Sequence, residues 1–352
     1  MPLCLRYVRY LKGGSFLTEN ETFDPVLEKV RDFIMLQADQ TRLALQDLKA
    51  LSYSSGKAVL SFFILQVLIF TLFAFVDRKD LLGSNALFQS AYGALIAFVC
   101  LFLPFLFVFK KMSQADRDAI VEQFEKPRSN FIMLIALPAG FMFCMAGNYI
   151  VAFFVSLMDS VGVELTAPES PLPSGFLGAV MYIIQIAFIP ALVEEFALRG
   201  VVMQPLRRFG DGFAIFMSSL VFALMHGNMI QAPFALIAGL AIGYFVIATD
   251  SIWTGVLIHF ANNLFSSLLT LINGNSSFET DGLYAAFMSL SFVAGIACCV
   301  LFVLNPKKIS LKKSTYNLGL NTRLKRYLIT PPMLLALAVI AYFTAGFINV
   351  KG

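Results

Sequence analysis

The chain has 352 residues, of which 58% are hydrophobic and only 14% charged, with a formal net charge of +4. Soluble domains carry about 25% charged residues, so this composition excludes a soluble enzyme with a single anchor and indicates a polytopic membrane protein. The modest positive balance calls for no nucleic-acid partner, because Lys and Arg gather in a few loops, as membrane orientation requires.

Residues 1–56 form the one sizeable polar segment. Arg6, Arg9 and Lys12 interrupt its start before an apolar signal region can form, so the first true span is expected to serve as its own insertion signal. From Asp24 to Ala50, apolar residues such as Val26, Val30, Phe33, Ile34 and Leu48 recur at near-helical spacing, and Asp24–Pro25 is a fair helix start. An amphipathic helix on the cytoplasmic surface or against the bundle is expected there.

Apolar runs follow at about 58–76, 86–109, 131–157, 175–202, 212–227, 231–248, 252–272, 284–305 and 331–349. The expected fold is therefore an all-α, polytopic transmembrane helical bundle of about nine spans, within a range of eight to ten. Four regions are expected: the polar segment 1–56, three spans over 57–174, a core over 175–272, and two further spans with a basic loop over 273–352. Basic residues crowd three connections: Lys110, Lys111, Arg117, Lys126 and Arg128; Arg207 and Arg208; and Lys307, Lys308, Lys312, Lys313, Arg323, Lys325 and Arg326. Connections 158–174, 228–230 and 273–283 have none. The N-terminus is thus expected in the cytoplasm and the C-terminus outside, in a plasma membrane if the cell is prokaryotic, although Arg78 and Lys79 in the first outer loop run against the pattern. The five cysteines, at 4, 100, 144, 298 and 299, make no CxxC pair and are expected as small apolar residues.

The chemistry-bearing residues lie inside the apolar runs. Ionisable groups at bilayer depth are costly and mark function by default. The fourth run contains Glu194, Glu195 and Arg199; the last two are four apart, share a helix face and are expected to form a structural ion pair. Glu194 points about 100° away. The fifth run ends with Phe222 and His226 on one face, and the seventh places His259 and Asn263 likewise. These are the chain's two histidines. Glu194 and His226 stand at equal sequence distance on either side of Gly210, so a hairpin turning there puts them at one height, about 24 Å from the turn. Asn263 lies about 20 Å beyond Asp250 on the same rise, with His259 one turn lower.

Each feature alone has an ordinary explanation: a lone Glu–Arg pair or a histidine in an apolar helix is commonly a satisfied structural group. Convergence of an acid, both imidazoles and an amide supports a site that activates water. In one mechanism Glu194 is a desolvated general base acting with His226, while His259 and Asn263 donate to an oxyanion. In the other, Glu194, His226 and His259 hold a zinc ion; Asn is a poor zinc ligand, and the first mechanism, with no cofactor, fits better. HExxH is absent and no span carries a GxS motif.

Glu194–Arg199 resembles the EExxxR motif of the CPBP (Abi) family of CAAX proteases and bacteriocin-processing enzymes. Phe222–His226 is similar to its FxxxH motif and His259–Asn263 to its HxxxN motif, in the same order. The resemblance covers about residues 175–272. It implies an intramembrane endopeptidase in which Glu194 and His226 activate water, His259 and Asn263 stabilise the oxyanion, and Glu195, Arg199 and Phe222 support the site. The partners it implies are the lipid bilayer and a membrane-associated peptide or protein, prenylated or of leader or bacteriocin type; metalloprotease is the rival label for the family. A non-catalytic immunity or secretion partner and a proton-coupled transporter are the alternatives, the latter disfavoured by the absence of an inverted repeat.

Overall fold

A computed structural model describes residues 25–77, 82, 85–168, 171–275, 281–306 and 308–350. Cys4, Arg6, Arg9, Lys12, Asp24, Arg78, Lys79 and Lys307 lie outside the described residues. The chain forms two compact units, residues 1–44 and 45–352.

Helix α1, Pro25–Val76, runs without a break from the polar segment into the first apolar run, so the expected amphipathic helix and first span are one element. No Gly or Pro separates them except Gly56, which a packing contact requires: a Cβ there would stand 2.5 Å from the backbone nitrogen of Met333. There follow α2 (Ala86–Lys111), α3 (Gln114–Glu122), α4 (Asn130–Ser160) and α5 (Gly175–Phe209). Next come α6 (Asp211–Met225), α7 (Gln231–Thr249), α8 (Ile252–Asn275), α9 (Asp281–Leu304), α10 (Leu320–Leu328) and α11 (Pro331–Ala345). The protein is an all-α polytopic bundle. Each of the nine apolar runs is helical over most of its length, but seven helices among the described residues are long and apolar enough to cross a membrane, or eight if the bent pair α10–α11 counts as one span. The difference from nine lies in α6 and α11, each of 15 residues against the roughly 20 a spanning helix needs.

One small sheet departs from the all-helical expectation: β1 (Val163–Leu165) pairs antiparallel with β2 (Ile348–Val350), Val163 opposite Val350. Cys100 and Cys144 are buried as expected, whereas Cys298 and Cys299 on α9 are only half-buried.

The residues that carry the site lie on α5, α6 and α8. Helices α6 and α7 pack as a hairpin, α7 also lies against α4, and α8 sits among α4, α5 and α7. Helix α5 is not uniform. Residues Ile184–Phe188 and Glu195–Met203 have π-helical hydrogen bonding, with Pro190 between them. Such widened turns rotate the side chains that follow and recur at functional sites.

Candidate active site

Glu195 and Arg199 form a fully enclosed ion pair, with Arg199 Nη1 2.9 Å from Glu195 Oε1 and both side chains at zero exposure. Arg199 Nη2 also donates to Gly239 O at 3.3 Å, and its guanidinium carbon lies 4.9 Å from the centre of the Phe222 ring. Breaking a buried pair by deleting one partner costs about 3–5 kcal/mol, so this pair fixes the helix face that precedes it. Space for the carboxylate comes from α8: a Cβ at Gly255 would stand 2.7 Å from Glu195 Oε2.

The pair is not self-contained, as its spacing alone suggests. His259 Nδ1 lies 2.9 Å from the same Glu195 Oε1. A carboxylate oxygen accepts, so Nδ1 carries the proton and Nε2 turns the other way. There it meets Glu194 Oε2 at 3.5 Å. Two acceptors facing each other at that distance need a proton, from the ring or from water, between them. His259 thus joins both carboxylates, one at each nitrogen.

His226 ends α6. Its Nδ1 lies 2.9 Å from Phe222 O, a carbonyl that can only accept, so the ring donates from Nδ1 and leaves Nε2 as a lone pair. The following residues hold it in place. Gly227 has φ +62°, the left-handed conformation that ends the helix. The buried Asn228 donates to His226 O at 2.9 Å and accepts from the backbone of Ile230 and Gln231, at 3.2 and 2.8 Å, which opens α7. Phe222 is the shared wall: its ring packs edge-on against His226 and His259, at centroid distances of 5.0 and 5.7 Å.

Glu194 and His226 line one cavity of about 200 Å³, together with Phe222, Leu198, Met225, Leu101, Phe62 and Gln66. Glu194 is one-fifth exposed to it, unlike its sealed neighbour. The hairpin argument placed these two residues together, and the fold does so. His259 is buried directly behind Glu194. Asn263 is elsewhere: its Nδ2 donates to Ile186 O on α5 at 3.1 Å and its Oδ1 accepts from Asn262 at 3.0 Å, and it is not among the cavity residues. Two features had no place in the motif reading, Asn228 and Gln66. Adjacency to His226 was the available signal for the first; for the second it was a lone amide in an apolar span.

A zinc site needs three or four ligands converging at about 2.0–2.2 Å. Among the described residues no three His, Cys, Asp or Glu side chains are grouped in that way. His259 donates from Nδ1 to Glu195, which leaves its Nε2 turned to Glu194.

These features define a class: a polytopic helical membrane protein with a carboxylate and an imidazole facing a cavity formed by its own helices. Residues 176–265 match the family described as type II CAAX prenyl endopeptidase, Rce1-like, which is the CPBP/CAAX protease family that the three motifs resemble. The matched segment contains every motif residue and both histidines. No curated protein and no solved structure matches the chain.

Proposed function

We propose that the protein is an intramembrane endopeptidase that hydrolyses a peptide bond close to a lipid anchor or transmembrane segment of its substrate, with prenylated C-terminal peptides as the substrate class that the family description favours. The observation that carries the reading is the shared cavity, which Glu194 and His226 both line, with Nδ1 of His226 held by Phe222 O and Nε2 left without a protein partner among the described residues.

Hydrolysis then runs in two steps. Water, held by His226 Nε2, gives a proton to Glu194 while its oxygen bonds to the carbonyl carbon and the carbonyl π electrons move to oxygen. Collapse of this tetrahedral oxyanion breaks the C–N bond, and the proton on Glu194 passes to the departing amine. His259, joined to Glu194 through Nε2 and to Glu195 through Nδ1, holds the base in orientation and keeps a proton beside it. Asn263, an oxyanion donor by resemblance, has one of its two N–H groups on Ile186 O and is not among the residues that line the cavity.

The test is reconstituted full-length protein with an anchored peptide substrate. Glu194→Gln, His226→Ala and His259→Ala are each expected to lower kcat by about 10²–10⁴-fold. Undiminished cleavage in all three rejects the reading.

A further inference from the structure

We infer that Gln66, on the first spanning helix and outside the segment that matches the family, is a catalytic residue whose side-chain N–H receives the scissile carbonyl oxygen. Three observations lead there. The cavity that holds Glu194 and His226 has one further polar side chain in its wall, Gln66 of α1. Gln66 is half-buried, and among the described residues no hydrogen bond reaches its amide. At bilayer depth a polar group must find a partner, and here the partner lies in the cavity. The side chain is not turned aside to lipid: Phe62 and Gln66, four apart, form the cavity face of α1. Phe63, Ile64, Val67 and Leu68 line a separate apolar slot with Ala338, Val339, Tyr342 and Phe343.

The chemistry asks for such a group. A peptide hydrolase needs a donor aimed at the oxygen that becomes negative. The amide expected there, Asn263, has one N–H on a backbone carbonyl and is not among the cavity residues, and the buried His259 turns its Nε2 to Glu194. Gln66 supplies an amide on the part of the cavity wall that α1 contributes.

This inference rests on the hydrolase reading, and the experiment separates the two. Wild type, Glu194→Gln and Gln66→Met are reconstituted in liposomes. Each is assayed for cleavage of an anchored peptide, and for binding of the same peptide with a phosphinate at the scissile bond. Loss of turnover in Glu194→Gln supports the hydrolase reading by itself. Gln66→Met keeps the length of the side chain and removes the donor. It is expected to lower kcat by about 10²–10³-fold while KM stays within about threefold, and to weaken phosphinate binding by a similar factor. Turnover within about threefold of wild type, or a rise in KM alone, overturns the role of Gln66 and leaves the hydrolase standing. Should wild type cleave nothing, the hydrolase reading falls, and equal phosphinate binding by wild type and Gln66→Met overturns the inference as well. If Gln66→Met does not fold, Gln66→Asn, which withdraws the donor by one methylene, takes its place with the same outcomes.

Discussion

Pro190 has no N–H to give the carbonyl four residues before it, which belongs to Ile186, and the Asn263 amide supplies the missing donor at 3.1 Å. Inside a membrane that carbonyl has no water to turn to. The bond therefore has a structural cause that needs no substrate. Asn263→Ala is expected to destabilise the protein by about 1–3 kcal/mol, the cost of an orphaned buried group. In a Pro190→Ala background, where an N–H returns to the helix, the same change is expected to cost much less, and the double-mutant cycle in detergent unfolding measures the coupling. Equal effects in both backgrounds would separate Asn263 from the proline. The spacing of HxxxN marks Asn263 as a polar residue at the depth of the site, but its partner is set by a proline on another helix, a pairing that no local pattern carries. Glu195 illustrates the same limit. Its i,i+4 relation to Arg199 is legible, whereas its second bond, to His259, depends on how α8 packs against α5.

At the scale of elements, the equal distances of Glu194 and His226 from Gly210 were sufficient to place both in one cavity, because an antiparallel hairpin with a tight turn leaves little freedom in height. What the apolar pattern could not register is the change from α to π winding within α5, since the few polar residues in those turns, Gln185, Glu195 and Arg199, are too sparse to show a shift of period. The continuity of α1 was hidden for a related reason: a change of composition near residue 56 reads as a boundary, although the backbone has no cause to stop there. The junction between α6 and α7 is the element on which His226 depends. Gly227 supplies the left-handed turn and Asn228 ties its two ends together. Asn228→Ala removes four hydrogen bonds from a buried cap and is expected to cost about 1–2 kcal/mol of stability, the upper range for a lost cap. Because the ring of His226 hangs from this turn, kcat is expected to fall as well in assays far below the melting temperature. Asn228→Asp keeps the acceptor for Ile230 and Gln231 but loses both donations, to His226 O and Gln231 Oε1, and sets a buried carboxylate against those oxygens, so it is expected to recover little of the stability. Matching losses of activity in both variants would fit; wild-type activity in Asn228→Ala would show that the turn does not position the ring.

Among the described residues of the second unit, hydrogen bonds between distant loops bring the basic connections together on one face. Arg208 pairs with Asp47 at 2.7 Å and with Asp116 at 2.8 Å, joining the middle of α1 and the start of α3 to the α5–α6 turn. Ile252 N donates to Gln123 O at 2.8 Å, Ile309 N to Ala248 O at 2.9 Å and Asp211 N to Lys312 O at 3.0 Å. The α6–α7 hairpin therefore leaves this face and returns to it, whether or not the 15-residue α6 crosses the full bilayer. The short helix accordingly changes the count of spans without changing the direction of anything after it. The same reasoning applies to α11. It starts beside Ser52, whose hydroxyl lies 2.8 Å from that of Thr330, and ends at β2, which pairs with β1 just beyond the far end of α4. It must therefore carry the chain from the basic face to the opposite one. Since Lys and Arg are retained on the cytoplasmic side, the loop around Lys313 is expected inside and the β1–β2 ladder outside. Single cysteines at the exposed positions Glu164 and Lys313, in a chain with its native cysteines replaced, test this directly. A membrane-impermeant maleimide added to intact cells is expected to label Glu164→Cys and to reach Lys313→Cys only after the membrane is opened. The reverse pattern would invert the protein, and with it the side from which a substrate reaches Glu194.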